Sequence, residues 1–207
     1  MTRAAGGIAL GDVSRWAEPV RALYATHTHA ESTTADGAIW SRSGALTASG
    51  RALLEQIRLA DQFGLHSTDY PANAIIYRAF AITGTAAEPA DWLALDVALS
   101  FTAARFVTHL HSGRIDPRTV GHDLDVLHAA LDLTTVLAAL ANTTDVPAVL
   151  SDYEPAFRHY ELLRRALFQY RQLAQQPELT ALPPLPARSV RGGERYDGMT
   201  PLRRLLV

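Results

Sequence analysis

Apolar residues recur every three or four positions along several long segments, and this helical period limits the fold of the chain more than any other feature. The segment 92–110 carries one such stripe: Trp92, Leu95, Leu99, Ala103, Phe106 and Leu110. The segment 157–174 carries another: Phe157, Tyr160, Leu163, Leu167, Tyr170 and Ala174. A helix of this kind buries its apolar stripe against neighbouring elements. We therefore predict an all-α fold, an irregular helical bundle whose core includes both stripes.

Residues that start and stop helices divide the chain further. Thr47 is placed to cap a helix, and Gly64 lies where a left-handed residue ends one. Asp132 is a second capping residue, and Pro71 and Pro155 fit first helical positions. The helix that begins near Pro71 is expected to carry four apolar residues: Ile75, Ile76, Phe80 and Ile82.

Polar and proline-rich stretches suggest four regions. Residues 1–45 are predicted to form an N-terminal helix and a polar loop from His27 to Gly37, in part disordered. Residues 46–176 are the helical domain, and 177–190 form an extended proline-rich segment, because closely spaced prolines prevent a helix. Residues 191–207 are interpreted as the truncated start of a following module, ending in an apolar helix.

Composition excludes several kinds of chemistry. The chain has no cysteine, which removes thiol nucleophiles, disulfides and thiolate metal sites. All 19 basic residues are arginine, so Schiff-base chemistry on lysine is also excluded. The formal net charge of -2 gives no general attraction to nucleic acid or to an anionic membrane. We found neither a signal-peptide core nor a segment that resembles a membrane span.

Histidines are the most plentiful candidates for catalysis or metal binding. His27 and His29 form one pair, and His109 and His111 form another. Residues two apart on a helix point in nearly opposite directions, so His109 and His111 are not expected to share an ion. We interpret them as partly protonated residues favoured by the carboxyl end of their helix. The loop pair could chelate weakly, but no carboxylate cluster completes a site.

The densest group of ionisable residues lies between 122 and 132. It contains three aspartates and two histidines: Asp123, Asp125, Asp132, His122 and His128. Acid–base catalysis requires a carboxyl group with a shifted pKa, whereas these residues fit capping or surface positions. No nucleophile elbow or phosphate-binding loop occurs. We therefore predict no catalytic, cofactor-binding or metal-binding residue.

An arginine-rich surface favours contact with another protein domain, because guanidinium groups are common in protein interfaces. Tyrosines and arginines alternate in the segment 153–171, where the tyrosines fit the core and the arginines fit a solvated or domain-contacting face. The predicted interface residues are Arg114, Arg164, Arg171, Arg191, Tyr196 and Leu202.

Four segments in order carry a resemblance to a known family. Gly64-Leu65 is followed by Asp69-Tyr70, and Leu99-Ser100 by Gly113 and Pro117. The segment 150–171 has the pattern Pro-x-x-x-x-Tyr-x-x-Leu and later Tyr-Arg, and 182–203 begins Leu-Pro and ends Leu-Arg. In this order and spacing the chain resembles the scaffold domain of the long Gram-negative L,D-transpeptidases.

The resemblance implies a non-catalytic part of an exported enzyme that cross-links peptidoglycan in the periplasm. That family's Ser-His-Gly-Cys-x-Arg signature has no counterpart here. The implied partners are the peptidoglycan-binding and catalytic domains of the same parent protein, and peptidoglycan itself. A homodimer through exposed apolar surface is a further expectation.

Two alternatives remain open at this point. The chain could be a stand-alone helical module that binds peptidoglycan or a protein partner in the cell envelope. It could also be a histidine-dependent metalloprotein.

Overall fold

The computed structural model describes residues 8–30, 37–85, 87–115, 117–121, 131–176 and 182–206. The chain divides into two compact units, residues 1–156 and 157–207. The fold is mostly helical, which confirms the all-α prediction. The four regions drawn from the sequence stay a prediction.

The first unit contains six of the described helices: α1 (Ala17–Ala30), α2 (Ala48–Arg58), α3 (Ala72–Ile82), α4 (Pro89–Ser112), α5 (Leu133–Asn142) and α6 (Val146–Ser151). Short 3-10 turns lie at Ser14–Trp16, Ala60–Phe63, Ser67–Asp69 and Pro117–Val120. A small hairpin, β1 (Ser41–Arg42) with β2 (Ala45–Leu46), was not expected; its strands are antiparallel with Ser41 opposite Leu46. The second unit contains α7 (Arg158–Ala174) and α8 (Met199–Leu206).

Helix α4 is the centre of the first unit. It packs against α1, α2, α3 and α5. The helical period predicted this amphipathic helix, and the side chains of the 92–110 stripe are all buried. The largest fully buried side chains of the unit include Trp40, Phe106, Leu53, Leu54, Ile57, Ile75, Leu95 and Leu99.

By length and composition alone, α4 is also long and apolar enough to cross a membrane. This property was not predicted from the sequence. Its most apolar 18-residue window has a mean hydropathy of 1.3, and 67% of that window is buried inside the protein. A mostly buried apolar helix is what the core of a soluble domain requires, since its surface contacts other helices.

Three residues that were predicted to start or end a helix do so in the structure. The Thr47 side chain accepts a hydrogen bond from the backbone N–H of Gly50 at 3.0 Å. Asp132 accepts one from the N–H of Thr135 at 3.2 Å. Gly64 has a φ of 76°, the left-handed conformation that a glycine adopts without strain. These three predictions are confirmed.

Other boundaries were predicted wrongly. Helix α1 continues through His27 to Ala30, so the predicted polar loop starts later, and residues 31–36 lie outside the described part of the chain. Pro19 lies in the first turn of α1, where a proline is tolerated because N–H groups in a first turn have no partner within the helix. Helix α7 begins at Arg158, not at Pro155.

One burial prediction, that of the α7 stripe, was also wrong, and one large apolar side chain of α3 is exposed. Phe80 on α3 is 82% exposed, although its neighbours Ile75, Ala79 and Ile82 are buried. The stripe on α7 exists, but no residue of this helix is buried. Spacing shows which face of a helix is apolar, but it does not show whether another element covers that face.

The proline-rich segment agrees with its prediction where it is described, since residues 182–190 form no helix. Residues 177–181 lie outside the described part of the chain. The apolar helix expected at the end of residues 191–207 is α8, which begins at Met199.

Candidate functional site

Two hydrogen-bonded clusters of polar side chains lie in the first unit. Both lie on α4, on different parts of its surface, and each joins α4 to segments far away in the sequence. We call them the Asp96 cluster (Tyr24, Ile39, Trp40, Ser41, Asp96 and Ser100) and the Tyr70–His109 cluster (Trp16, Asp69, Tyr70, Arg105, His109 and Arg114).

The Asp96 carboxylate accepts hydrogen bonds from two backbone groups and two hydroxyls. The N–H of Ile39 donates to Oδ1 at 2.9 Å, and the N–H of Trp40 donates to Oδ2 at 2.7 Å. The hydroxyl of Tyr24 donates to Oδ1 at 2.7 Å, and that of Ser41 donates to Oδ2 at 3.1 Å. The carboxylate therefore fixes the segment 39–41, and with it the start of the β-hairpin, on α4.

Ser100 extends the same cluster by one helical turn. Its hydroxyl accepts a hydrogen bond from the indole N–H of Trp40 at 2.8 Å and lies 2.9 Å from the hydroxyl of Tyr24. Asp96 and Ser100 are both completely buried. A substrate in solvent could reach neither residue, so their chemistry serves the fold.

Burial sets the ionisation of this cluster. Loss of hydration raises the pKa of Asp96, while the hydrogen bonds it accepts act in the opposite direction. Burial and the nearby Asp96 carboxylate raise the pKa of Tyr24 well above its ordinary value. Tyr24 therefore stays protonated and remains a donor.

The second cluster is centred on a hydrogen bond between a tyrosine and a histidine. The hydroxyl oxygen of Tyr70 lies 2.9 Å from Nδ1 of His109. Burial lowers the pKa of His109 to about 4, and the positive charge of Arg105 acts in the same direction. Burial also raises the pKa of Tyr70, so the tyrosine donates and the neutral imidazole accepts.

This result corrects the sequence interpretation of His109 as partly protonated at a helix end. Its ring is neutral near pH 7, and it packs at the edge of Trp16 with ring centres 6.2 Å apart. Nδ1 of His111 lies instead 3.2 Å from the carbonyl oxygen of Tyr153. The two histidines thus contact different partners, as their spacing on a helix predicted.

Arginines connect the second cluster to the rest of the unit. Arg105 lies over the ring of Trp16, 5.6 Å from its centre, and Nη1 donates to the carbonyl oxygens of Leu10 and Asp69 at 3.4 and 3.3 Å. Arg114 donates to Oδ2 of Asp69 at 2.9 Å. The pairs Asp69-Tyr70 and Gly113-Arg114 came from two separate segments of the family resemblance, and the fold brings them together.

The remaining candidates do not form a site. Asp132 caps α5, and its hydrogen bonds with Thr135 lower its pKa. The other members of the acidic patch, residues 122–128, lie outside the described part of the chain. His27 lies within α1 rather than in a loop. Among the described residues, no group of three or more histidine or acidic residues could hold a metal ion.

The six predicted interface residues lie in both units, with Arg114 in the first and five in the second. The guanidinium of Arg164 lies 5.8 Å from the ring centre of Tyr160 on α7, and Arg171 is in the last turn of that helix. The Tyr196 hydroxyl donates to the carbonyl of Pro183 at 2.6 Å. The backbone N–H of Arg191 donates to Glu194 at 2.9 Å, and Leu202 is on α8. Their role as an interface stays a prediction.

Sequence reasoning missed the Asp96 cluster, although a signal was present. Asp96 and Ser100 are four residues apart on α4, so they share one face of a helix whose apolar stripe is buried. A polar pair in such a position requires hydrogen-bond partners, because an unpaired buried polar group costs free energy. The identity of those partners came only from the fold.

Comparison with known proteins decides the family. The family model described as Scaffold domain matches residues 18–167, which is more than half of the chain. The chain belongs to the Scaffold domain family. The match begins in α1, includes the Asp96 cluster and all of the Tyr70–His109 cluster except Trp16, and ends within α7, so it covers most of the core of the first unit. No curated protein and no solved structure gave a significant match.

Proposed function

We propose that this Scaffold domain is the non-catalytic support of an L,D-transpeptidase-like protein that cross-links peptidoglycan in the periplasm. Its α7 face would bind the peptidoglycan-binding and catalytic domains of the same parent protein. The observation that carries this proposal is the exposed apolar stripe of α7.

The stripe has the composition of a protein interface. Leu163 is 68% exposed and Tyr170 is 72% exposed, and they are seven residues apart, two turns along the same face. Arg164 and Arg171 lie beside them at helical spacing. Contiguous exposed apolar surface marks interaction sites, and tyrosine and arginine are enriched in interfaces.

The two buried clusters support a role without catalysis. The Asp96 carboxylate is sealed from solvent, and the neutral His109 ring is engaged by Tyr70. The chain also contains no cysteine, the nucleophile of the family that it resembles. In the proposed arrangement, catalysis belongs to another domain, and the clusters keep the support rigid.

The first test is the reading frame downstream of codon 207. The proposal expects a segment that encodes Ser-His-Gly-Cys. A stop codon at that point, with no such segment, would remove the parent enzyme from the proposal.

The second test measures binding between this chain and the purified downstream domains by isothermal titration calorimetry. Leu163→Asp places a charge on the stripe and should weaken binding at least about tenfold, the loss expected for a central contact. Phe168→Asp is the matched control, since Phe168 is 56% exposed but lies about 140° around the helix from Leu163. Equal losses in both variants, or no binding by the unchanged chain, would contradict the proposal.

A pull-down on purified cell-wall sacculi separates this proposal from the stand-alone alternative. A support for other domains should show no saturable binding to sacculi. Saturable binding by this chain alone would favour a peptidoglycan-binding module instead.

A further inference from the structure

The first unit carries an apolar groove that neither buried cluster uses. It lies between α2, α3 and β2 and has a volume of about 430 Å³. Apolar side chains line most of it, among them Leu46, Leu54, Ile76 and Ala79. This volume falls within the range of about 300–1,000 Å³ in which proteins hold ligands or partner side chains.

A large aromatic side chain stands at the edge of the same groove. Phe80 lines the groove and is nevertheless 82% exposed. Phe80 projects from α3, while Ala79 beside it is buried. The surface therefore presents an apolar projection and an apolar depression side by side.

Opposite charges lie on the α2 side of the groove. Arg51 and Glu55 both line it, one helical turn apart. Arg51 donates to the Leu46 carbonyl, and Glu55 accepts from Arg58 at 2.9 Å. A two-fold axis that sets two α2 helices antiparallel would place each arginine opposite the other copy's glutamate.

We propose that this groove is the interface of a symmetric homodimer. Phe80 of each copy inserts into the groove of the other, and Arg51 pairs with the partner subunit's Glu55. A two-fold interface requires one surface that is complementary to itself, and here the projection, the depression and both charges lie on the same face. A partner of different sequence would require only the projection or only the depression on this surface.

Sedimentation equilibrium of the full chain over a range of concentrations tests the proposal. We expect a monomer–dimer equilibrium with a limiting mass twice that of the chain. Phe80→Asp should raise the dissociation constant by at least about 30-fold, because it replaces a central aromatic contact with a charge. Tyr77→Ser is the matched control: Tyr77 is 74% exposed on the same helix, does not line the groove, and should leave the dissociation constant nearly unchanged.

A charge exchange provides an independent variant. Arg51→Glu alone should weaken the dimer because it places two carboxylates in contact, and the double variant R51E/E55R should restore it. Thermal unfolding by circular dichroism checks that every variant is folded. Phe80 is exposed, so its replacement leaves the core intact.

Three outcomes would overturn the proposal. One is a chain that stays monomeric at its highest soluble concentration. Another is a dimer that Phe80→Asp leaves unchanged, which would place the interface elsewhere. The third is a monomer that binds the apolar dye ANS in the groove in a Phe80-dependent way, which would indicate a different occupant. None of these outcomes bears on the α7 stripe, so the proposed function is tested separately.

Discussion

Replacement of Asp96 tests whether its carboxylate holds the first unit together. In Asp96→Ala, four donors lose their acceptor: the backbone N–H groups of Ile39 and Trp40 and the hydroxyls of Tyr24 and Ser41. The hydroxyls can rotate towards other acceptors, as Ser100 lies close to Tyr24, but the two backbone groups cannot. These two backbone N–H groups therefore determine how much the free energy of unfolding falls.

The magnitude follows from those two groups. A buried donor without a partner costs about 1–3 kcal/mol, so two give about 2–6 kcal/mol. Removal of a buried charge offsets part of this loss, because burial raises the pKa of Asp96 and the charged form is costly. We expect a net loss of about 2–4 kcal/mol in the free energy of unfolding at neutral pH. This is a large share of the roughly 5–15 kcal/mol typical of a domain.

Two milder variants separate the contributions. Asp96→Asn keeps the shape but presents an amide NH₂ to one of the two backbone N–H groups, so it should cost about 1–3 kcal/mol. Tyr24→Phe leaves both backbone hydrogen bonds in place and should cost about 0.5–1.5 kcal/mol. The expected order of destabilisation is Tyr24→Phe, then Asp96→Asn, then Asp96→Ala.

Urea unfolding followed by circular dichroism gives these free energies. Amide hydrogen exchange in Asp96→Asn adds a local readout, because either Ile39 or Trp40 should lose protection while the interior of α4 retains it. If Asp96→Ala cost no more than Tyr24→Phe, the backbone hydrogen bonds would not be the main contribution and the reasoning would be wrong.

The remaining predictions concern pH, packing and capping. The pKa of His109 is about 4 in the fold against an ordinary 6.5, so the unfolded chain binds a proton first as the pH falls. The free energy of unfolding should drop by about 1–3 kcal/mol between pH 6.5 and 4, and His109→Gln should lack this slope in urea titrations. Gly50→Ala should destabilise by about 1–3 kcal/mol, although alanine favours helices, because a Cβ would lie 2.8 Å from the carbonyl oxygen of Trp40. Gly192→Ala, where a Cβ meets nothing within 4 Å, should leave the melting temperature unchanged. Thr47→Ala should cost about 1 kcal/mol by the same urea assay through loss of the α2 cap, and an unchanged midpoint would count against that role.

Much of the secondary structure could be predicted, because helical period and capping are local properties. Thr47 and Asp132 cap the helices they were expected to cap, and the period of 92–110 predicted the central helix. The candidate site was harder to predict from the sequence. The ionisation of His109 depends on burial beside Arg105 and Tyr70, which are four and 39 residues away. A local pattern suggested a protonated histidine, and the fold made it a neutral acceptor.

The sequence by itself determined where several helices begin, which of their faces are apolar and which chemistry the chain lacks. These follow from neighbouring residues and composition. Tertiary structure decided which apolar faces are covered: the stripe of α4 is buried, whereas Phe80 is exposed and no residue of the α7 stripe is buried. It also decided that Asp96 is a buried anchor, since its four donors come from segments more than 50 residues away. Which apolar helix faces are covered, and which groups donate hydrogen bonds to Asp96, both depend on distant parts of the chain. The spacing of residues within one helix carries no information about either.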